Sequence, residues 1–395
     1  MSDLFRGARV IMGKLLQAGH QAYLVGGCVR DYLLNREIGD IDIATSARPE
    51  EVRSLFSKTI PVGIEHGTVI VRMEHVSYEV TTFRKEGTYT DRRHPSSVEY
   101  IDSLVEDLSR RDFTINAIAM DEAGNLHDPF GGRQHLKEKK IKTVGAAEKR
   151  FMEDPLRIMR ALRFWSVLGF TLEAETGKAC TALADQLKAI AVERIAMEFI
   201  KLLRGVEAPS CLKFIFKTEL VFSLPELHRY KNSANSLYGV QWTGLEHDEE
   251  RWAALLFVLG VEDPAAFLKA WKQSNALIRS VQQLIGYLGK DELARMDLYD
   301  LGEEQAVSCQ RVMNVIKGKP VGEMLTLVQK RFRELPIHQR KQLAINGKDV
   351  VKDNERMKGP WIQEMLRKIE QAVVEGEVIN EKSAIMEWVR SWKEK

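Results

Sequence analysis

The rhythm of apolar and polar positions changes once along this chain. Up to about residue 145 the periods are mixed. "IMGKLLQAG" spaces its apolar residues as a helix does, "QAYLVGG" reads as a strand, "VRDYLLN" as a short helix, "DIDIAT" as a strand and "RPEEVRSLF" as a helix. "GTVIVRM" and "VSYEVTTFR" are β-rich runs joined by a short polar turn. "KEGTYTDRRHPSSVEY" is polar, charged and turn-rich and predicts a mobile loop over much of its length, and "NLHDPFGG" predicts a further β-like run. From Lys149 onward strand signals almost vanish. "RIMRALRFWSVLGF", "ERIAMEFIKLLRG", "RWAALLFVLG" and "EMLRKIEQAVVEG" follow a 3.6-residue period, and several end at glycine, as a C-cap requires. "SANSLYGVQWTG" interrupts them as an irregular connection. The pattern predicts an α+β head followed by a long helical body, with no fixed-period repeat and no low-complexity linker.

A length of 395 residues allows about two to four domains. Charge is balanced, 58 basic residues against 56 acidic, so any nucleic-acid surface must be local. Residues 310–395 hold 18 Lys/Arg against 12 Asp/Glu, which suits either a solvated helical surface or contact with phosphates. Cys28, Cys180, Cys211 and Cys309 are far apart, so neither a zinc site nor a disulfide framework follows. The N-terminal apolar run is too short and too charged for a signal peptide, and no stretch of about 18 apolar residues could cross a membrane. The expectation is a soluble cytoplasmic protein with reduced thiols and no membrane partner.

Chemistry concentrates between Tyr23 and Ser46. In a strand, Asp40 and Asp42 would project from one face, with Ile41 and Ile43 turned to the core. Neighbouring carboxylates repel unless a cation lies between them, and oxygen ligands favour Mg2+. Alone, such a pair also describes an exposed strand edge. Gly26 and Gly27 end a strand and open a helix, which lets backbone N–H groups approach an anion, and Arg30 lies one turn further on, within reach of a phosphate. Together these parts suit metal-assisted nucleotidyl transfer.

"LVGGCVRD…GDIDIAT" resembles the head motif of the nucleotidyltransferases related to DNA polymerase β, and more narrowly that of the class II tRNA CCA-adding enzymes and bacterial poly(A) polymerases. Cys28 stands where alanine is expected; both are small. "RRDFTINAIAMD" sets adjacent arginines, Arg110 and Arg111, before Asp112 and Asn116, a set that suits phosphate and ribose hydroxyls or equally a surface basic pair with an N-capping aspartate; it resembles a second family motif in which Arg111 approaches the triphosphate.

"EDPLRIMRALRFW" places Ile158, Ala161, Leu162, Trp165 and Leu168 on an apolar stripe, with Asp154, Arg157, Arg160 and Arg163 on a neighbouring one. Adenine and cytosine both present an amino donor beside a ring-nitrogen acceptor; uracil and guanine present the reverse. An aspartate and an arginine can therefore accept the first pair and reject the second, at about 1–3 kcal/mol per bidentate contact. Asp154 before Pro155 equally reads as a helix N-cap, and Asp154 with Arg157 as a surface ion pair. The string resembles the family's amino-acid template, which implies base reading by Asp154 and Arg157 and nucleotide contacts by Arg160 and Arg163. "VERIAMEFIKLL" resembles the last shared motif through Glu193, Arg194 and Glu198, read here as a helix salt-bridge network outside the active site. Glu79 is either a third carboxylate near the metal or a strand-surface residue. "EHD" at Glu246–Asp248 lacks the further ligands of an HD phosphohydrolase.

The resemblance implies an α+β, polymerase-β-like nucleotidyltransferase head over residues 1–147, then an all-helical neck (148–205, base selection), body (206–305) and tail (306–395). The tail is expected to grip the elbow of tRNA, and the active site its 3′ end. CTP and ATP are the implied substrates and Mg2+ the implied cofactor; a homodimer is compatible. The full length of the loop "KEGTYTDRRHPSS" argues against CC-addition alone, and the end soon after the tail helix against poly(A) synthesis. A different class, a non-catalytic RNA-binding protein on a decayed head, sits poorly with the intact carboxylates.

Overall fold

The computed structural model describes residues 5–61, 67–73, 75–87, 98–352 and 359–393. The chain separates into two compact units, residues 1–231 and 232–395.

The first unit opens with α1 (Arg6–Gln17), whose buried Ala8, Ile11, Met12 and Leu15 fall at helical spacing on one face. Then come β1 (Ala22–Val25), α2 (Gly27–Leu33), β2 (Asp42–Thr45), α3 (Pro49–Leu55), β3 (Thr59–Ile60), β4 (Thr68–Met73) and β5 (Val76–Thr82). With β6 (Arg84–Glu86), β7 (Val98–Tyr100), α4 (Leu104–Ser109), β8 (Ala119–Met120) and β9 (Leu126–His127), these form a seven-stranded sheet of order β3-β4-β5-β2-β1-β8-β9 and a separate β6–β7 pair. In the sheet, β2 runs antiparallel to β1 and parallel to β5. Leu24, Val25, Ile43, Ala44, Val69 and Val80 are fully or almost fully buried in its core.

The local expectations gain detail. The two ends of "KEGTYTDRRHPSSVEY" pair as β6 and β7, and the loop expected over much of it falls largely on residues 88–97, which lie outside the described part. "NLHDPFGG" supplies only the two residues of β9 before α5 (Gly132–Lys137) begins. Among the described residues past Lys149 one strand remains, as the near loss of strand signals allowed: β11 (Thr171–Leu172) pairs in parallel with β10 (Lys140–Ile141).

The rest of the first unit is helical: α6 (Ala147–Glu153), α7 (Leu156–Leu168), α8 (Ala174–Ala182), α9 (Val192–Leu202) and α10 (Ala208–Lys217). Helix α7 buries Ile158, Ala161 and Leu162 completely, half-buries Trp165 and Leu168, and ends at Gly169 in the left-handed conformation.

The second unit contains α11 (Asp248–Leu259), α12 (Pro264–Ala270), α13 (Asn275–Leu288), α14 (Arg295–Ile316), α15 (Gly322–Arg333), α16 (Gly347–Lys352), α17 (Trp361–Glu375) and α18 (Lys382–Lys393). Trp252, Phe267 and Trp271 cluster in its core, and α11 and α17 end at Gly260 and Gly376 in the left-handed conformation. The boundary expected at 305/306 falls inside α14, three residues after the break in helical geometry at Gly302. "EHD" is structural: Glu246 pairs with the buried Arg311, and Asp248 opens α11. Among the described residues no helix is long and apolar enough to cross a membrane.

Candidate active site

Asp42 stands at the first position of β2, opposite Val25 on one side and Glu79 on the other. Asp40 precedes the strand, which corrects the expectation of two carboxylates on one strand face. Gly26 turns β1's continuation away at φ +75, so among the described residues the ladder stops at Val25–Asp42 and nothing pairs with residue 40. Both carboxylates still line one cavity of about 640 Å3. Burial, and then Glu79, push the Asp42 carboxyl up to about 6; Arg111 opposes them, and Asp40 adds to them. A carboxylate so short of positive charge suits a cation. Among the described residues no three or more His, Cys, Asp and Glu side chains form a complete metal centre. The two aspartates fit an oxygen-loving ion that fills its shell with water and substrate oxygens, as Mg2+ does.

Gly26 decides how closely the neighbouring groups gather. Its φ of +75 disfavours any side chain, and a Cβ there would lie 3.2 Å from Arg111 Nη1 and 3.3 Å from Asp42 Oδ2. Gly27, the first residue of α2, lines the same cavity. Arg111 donates from Nη2 to Asp107 Oδ2 at 3.3 Å. Asp107 is buried, but Arg110 and Arg111 together outweigh the burial and hold its carboxyl below the usual range. Arg111 Nε is buried without a hydrogen-bond partner, an unused donor in the cavity wall. Arg30 reaches the cavity with its donors engaged: Nε and Nη2 bond Asp31 at 2.9 and 2.7 Å, and Nη1 bonds Asn116 Oδ1 at 2.7 Å.

Asn116 extends the chain of contacts by donating to Asp112 Oδ1 at 3.1 Å, and Arg160 Nε donates to Asp112 Oδ2 at 2.8 Å. Burial alone would raise the Asp112 carboxyl; Arg160 and Asn116 overcome it and draw the group down to about 2.

Asp154 and Arg157 both line the cavity, and each is held by a different neighbour. Asp154 Oδ1 accepts from the Leu156 N–H at 3.1 Å at the entrance to α7, whose N-cap position is Pro155 and not the Asp154 that the sequence offered. Its Oδ2 accepts from Arg194 at 3.2 Å. Arg157 is nearly buried. It donates to Glu153 Oε2 at 2.8 Å and to the carbonyls of Arg150 and Arg110. Among the described contacts the two do not form the surface ion pair that their spacing allowed. Arg160 and Arg163 complete this wall, and Arg163 Nε approaches Glu198 Oε2 to 2.6 Å.

Arg194 is the correction of most consequence. The Glu193–Glu198 motif was expected outside the site, yet Arg194 lines the cavity and anchors Asp154, and Glu198 meets Arg163. Asp107, Glu153 and Phe164 also enter the site without having been singled out. Asp107 stands three and four residues before its arginines, and Glu153 four before Arg157, so spacing could have found them. Nothing local links Asp154 to an arginine forty residues away. Cys28 is buried and donates from Sγ to the Val25 carbonyl at 3.1 Å; burial pushes the thiol up to about 11, so it is a packing residue.

Comparison with known proteins places this geometry. The Poly A polymerase head domain family matches residues 22–142, the family described as "Probable RNA and SrmB- binding site of polymerase A" matches 169–231, and tRNA nucleotidyltransferase domain 2 matches 243–389. The chain is 45% identical over 393 residues to a CCA-adding enzyme of Geobacillus sp. (strain WCH70), covering 98% of this chain and 97% of that one. It is 44% identical to a CCA-adding enzyme of Bacillus cereus (strain Q1), covering 98% of each. Its fold is similar to the crystal structure of the Bacillus stearothermophilus CCA-adding enzyme in complex with CTP: the TM-score is 0.94 and the identity 44%, over 100% of this chain and 98% of that one.

Proposed function

Because the chain belongs to the family of CCA-adding enzymes, we propose that it adds C, C and A in turn to the 3′ end of tRNA. It uses CTP and ATP, needs no nucleic-acid template and releases pyrophosphate. The observation that carries this reading is a single cavity. One wall bears the carboxylates Asp40 and Asp42 with Arg111; the other bears Asp154 and Arg157.

Asp40 and Asp42 would hold a divalent ion, Mg2+ by their oxygen ligands, which would supply activation of the attacking 3′ hydroxyl and charge stabilisation at the leaving oxygen. Arg111 binds triphosphate oxygens with Nε and Nη1, because Asp107 and the bare backbone of Gly26 fix its fork beside Asp42. Arg30 works mainly by orienting Asp31 and Asn116. Asp154 accepts the exocyclic amino group of cytosine or adenine, and Arg157 donates to the adjacent ring nitrogen. Arg194 and Glu153 hold these two side chains apart and oriented, so the protein itself reads the base edge. Arg160 and Arg163 add positive charge along the nucleotide.

Residues 1–147 act as the catalytic head and 148–205 as the base-selecting neck. Residues 206–305 form the body, and 306–395, with their basic excess, hold the tRNA. The four cysteines are buried free thiols, as suits the cytoplasm.

Purified protein incubated with tRNA lacking its 3′ CCA tests the reading. CTP alone should extend the tRNA by two residues, and CTP with ATP by three. Continued growth in ATP would identify a poly(A) polymerase; no incorporation would overturn the assignment.

A further inference from the structure

Phe164 is an apolar side chain, only 4% exposed, in the wall of a cavity lined mostly by aspartates and arginines. Three guanidinium carbons surround its ring, those of Arg163, Arg30 and Arg160, at 4.2, 5.0 and 5.5 Å from the centroid. The ring is itself fixed edge-on by Phe113, with centroids 5.7 Å apart and planes at 81°. Each arginine comes from a different position on α2 or α7, and each also has a carboxylate neighbour: Asp31, Asp112 or Glu198.

Three like charges around one point repel one another. Carboxylates can offset that repulsion, but every carboxylate close to the cavity also repels an incoming triphosphate. An aromatic ring offers a third way. Its negative quadrupole attracts a cation without carrying net charge, so it gathers the arginines without adding a repelling anion to the cavity. Leucine would fill similar core volume without this property.

We infer that Phe164 is a positioning residue for the nucleotide site: its ring gathers Arg30, Arg160 and Arg163 into one cluster that faces the bound triphosphate. The inference rests on the nucleotidyl-transfer reading above and concerns how that site acquires its charge. Arg163 supports it independently. Its ring contact, at 4.2 Å, is the shortest of the three, and it is made alongside the 2.6 Å ion pair of its Nε with Glu198.

The test uses the full chain with phenylalanine at 164 replaced by mono-, di- and trifluorinated phenylalanine, which keeps the ring's shape and weakens its quadrupole. The readouts are KM and kcat for CTP and ATP on tRNA lacking CCA, with Tm as the control for folding. The KM for both nucleotides should climb stepwise, by roughly tenfold across the series, while kcat and Tm stay nearly constant. Phe164→Leu should raise KM in the same way, and Phe164→Tyr should restore it. A flat KM across the fluorinated series in an active protein would overturn the role of the ring and leave the enzyme assignment intact. An unmodified chain that incorporates nothing would instead remove the reading beneath both. If Phe164→Leu fails to fold, the fluorinated series still decides.

Discussion

Arg160 Nε donates to Asp112 Oδ2 at 2.8 Å, joining α7 to the segment that follows α4, forty-eight residues earlier. Asp112 is 8% exposed, so this ion pair is part of the core as well as of the cavity wall. The same carboxylate bonds Asn116, which bonds Arg30. A continuous polar chain thus runs from the helix that follows the glycine turn to α7.

The pair gives stability an acid-sensitive component. Asp112 titrates at about 2 in the fold, below the roughly 3.9 of an unfolded aspartate. Its contribution is complete above the unfolded value and fades as pH falls through about 2. Asp112→Asn should cost on the order of 2 kcal/mol at pH 7, and the gap from wild type should narrow below about pH 4. Denaturant melts across that range measure it; a gap independent of pH would refute it.

Asp42 has the opposite sign. Its folded carboxyl is raised to about 6, so ionisation at neutral pH opposes folding. In metal-free buffer at pH 7.5, Asp42→Asn should raise stability by about 1–2 kcal/mol and abolish nucleotide incorporation. Added Mg2+ should raise the Tm of the wild type and not that of the variant. Calorimetry with and without chelator reads both effects, and equal Mg2+ responses would discount the metal site.

The two glycines should differ sharply on substitution. Gly26→Ala must force a Cβ between Arg111 and Asp42 at positive φ, and should cost about 1–3 kcal/mol together with a large rise in the CTP KM. At Gly27 the nearest atom to a Cβ, Arg30 Nη2, is 3.6 Å away, an ordinary contact, so Gly27→Ala should have the milder effect. Paired Tm and KM measurements would expose any reversal of this order.

Base selection should respond to the anchors as well as to the readers. Asp154→Arg with Arg157→Asp reverses the hydrogen-bonding edge but places like charges beside Arg194 and Glu153. The double variant should therefore lose its preference for CTP and ATP without a clean gain elsewhere. Adding Arg194→Gln and Glu153→Gln should shift incorporation toward UTP and GTP. Single-nucleotide competition assays read the ratio, and an unchanged preference in both variants would place base reading elsewhere.

Glu370 is a comparable hub in the second unit. It is 2% exposed, accepts from Arg340 at 2.7 and 3.0 Å, and accepts from the Tyr299 hydroxyl at 2.9 Å. Its carboxyl lies below the usual range because Arg340 and Tyr299 outweigh its burial. Glu370→Ala should lower stability by about 1–3 kcal/mol while leaving the CTP KM unchanged. A raised CTP KM would show that the hub serves the nucleotide site.

Local patterns made much of this molecule legible. Period-2 runs announced β1, β2, β4 and β5, and period-3.6 runs ending in glycine announced α7, α11 and α17 with their left-handed caps. The residue types in "GGCVRD", "GDIDIA", "RRDFTIN" and "EDPLR" named the groups that now line one cavity. These features depend on neighbours within about a turn or a strand pair, which is the range that spacing encodes. Partnership across the chain left no such mark. That Asp40 falls outside the strand follows from Gly26 ending the ladder. That Arg194 holds Asp154 follows from α9 packing on α7. That Arg30 of α2 reaches the Phe164 ring follows from two helices distant in sequence meeting at the cavity, whereas Arg160 and Arg163 already neighbour that ring on α7. Each is a contact between segments far apart in sequence, and it comes into being only when burial of their apolar faces brings them together.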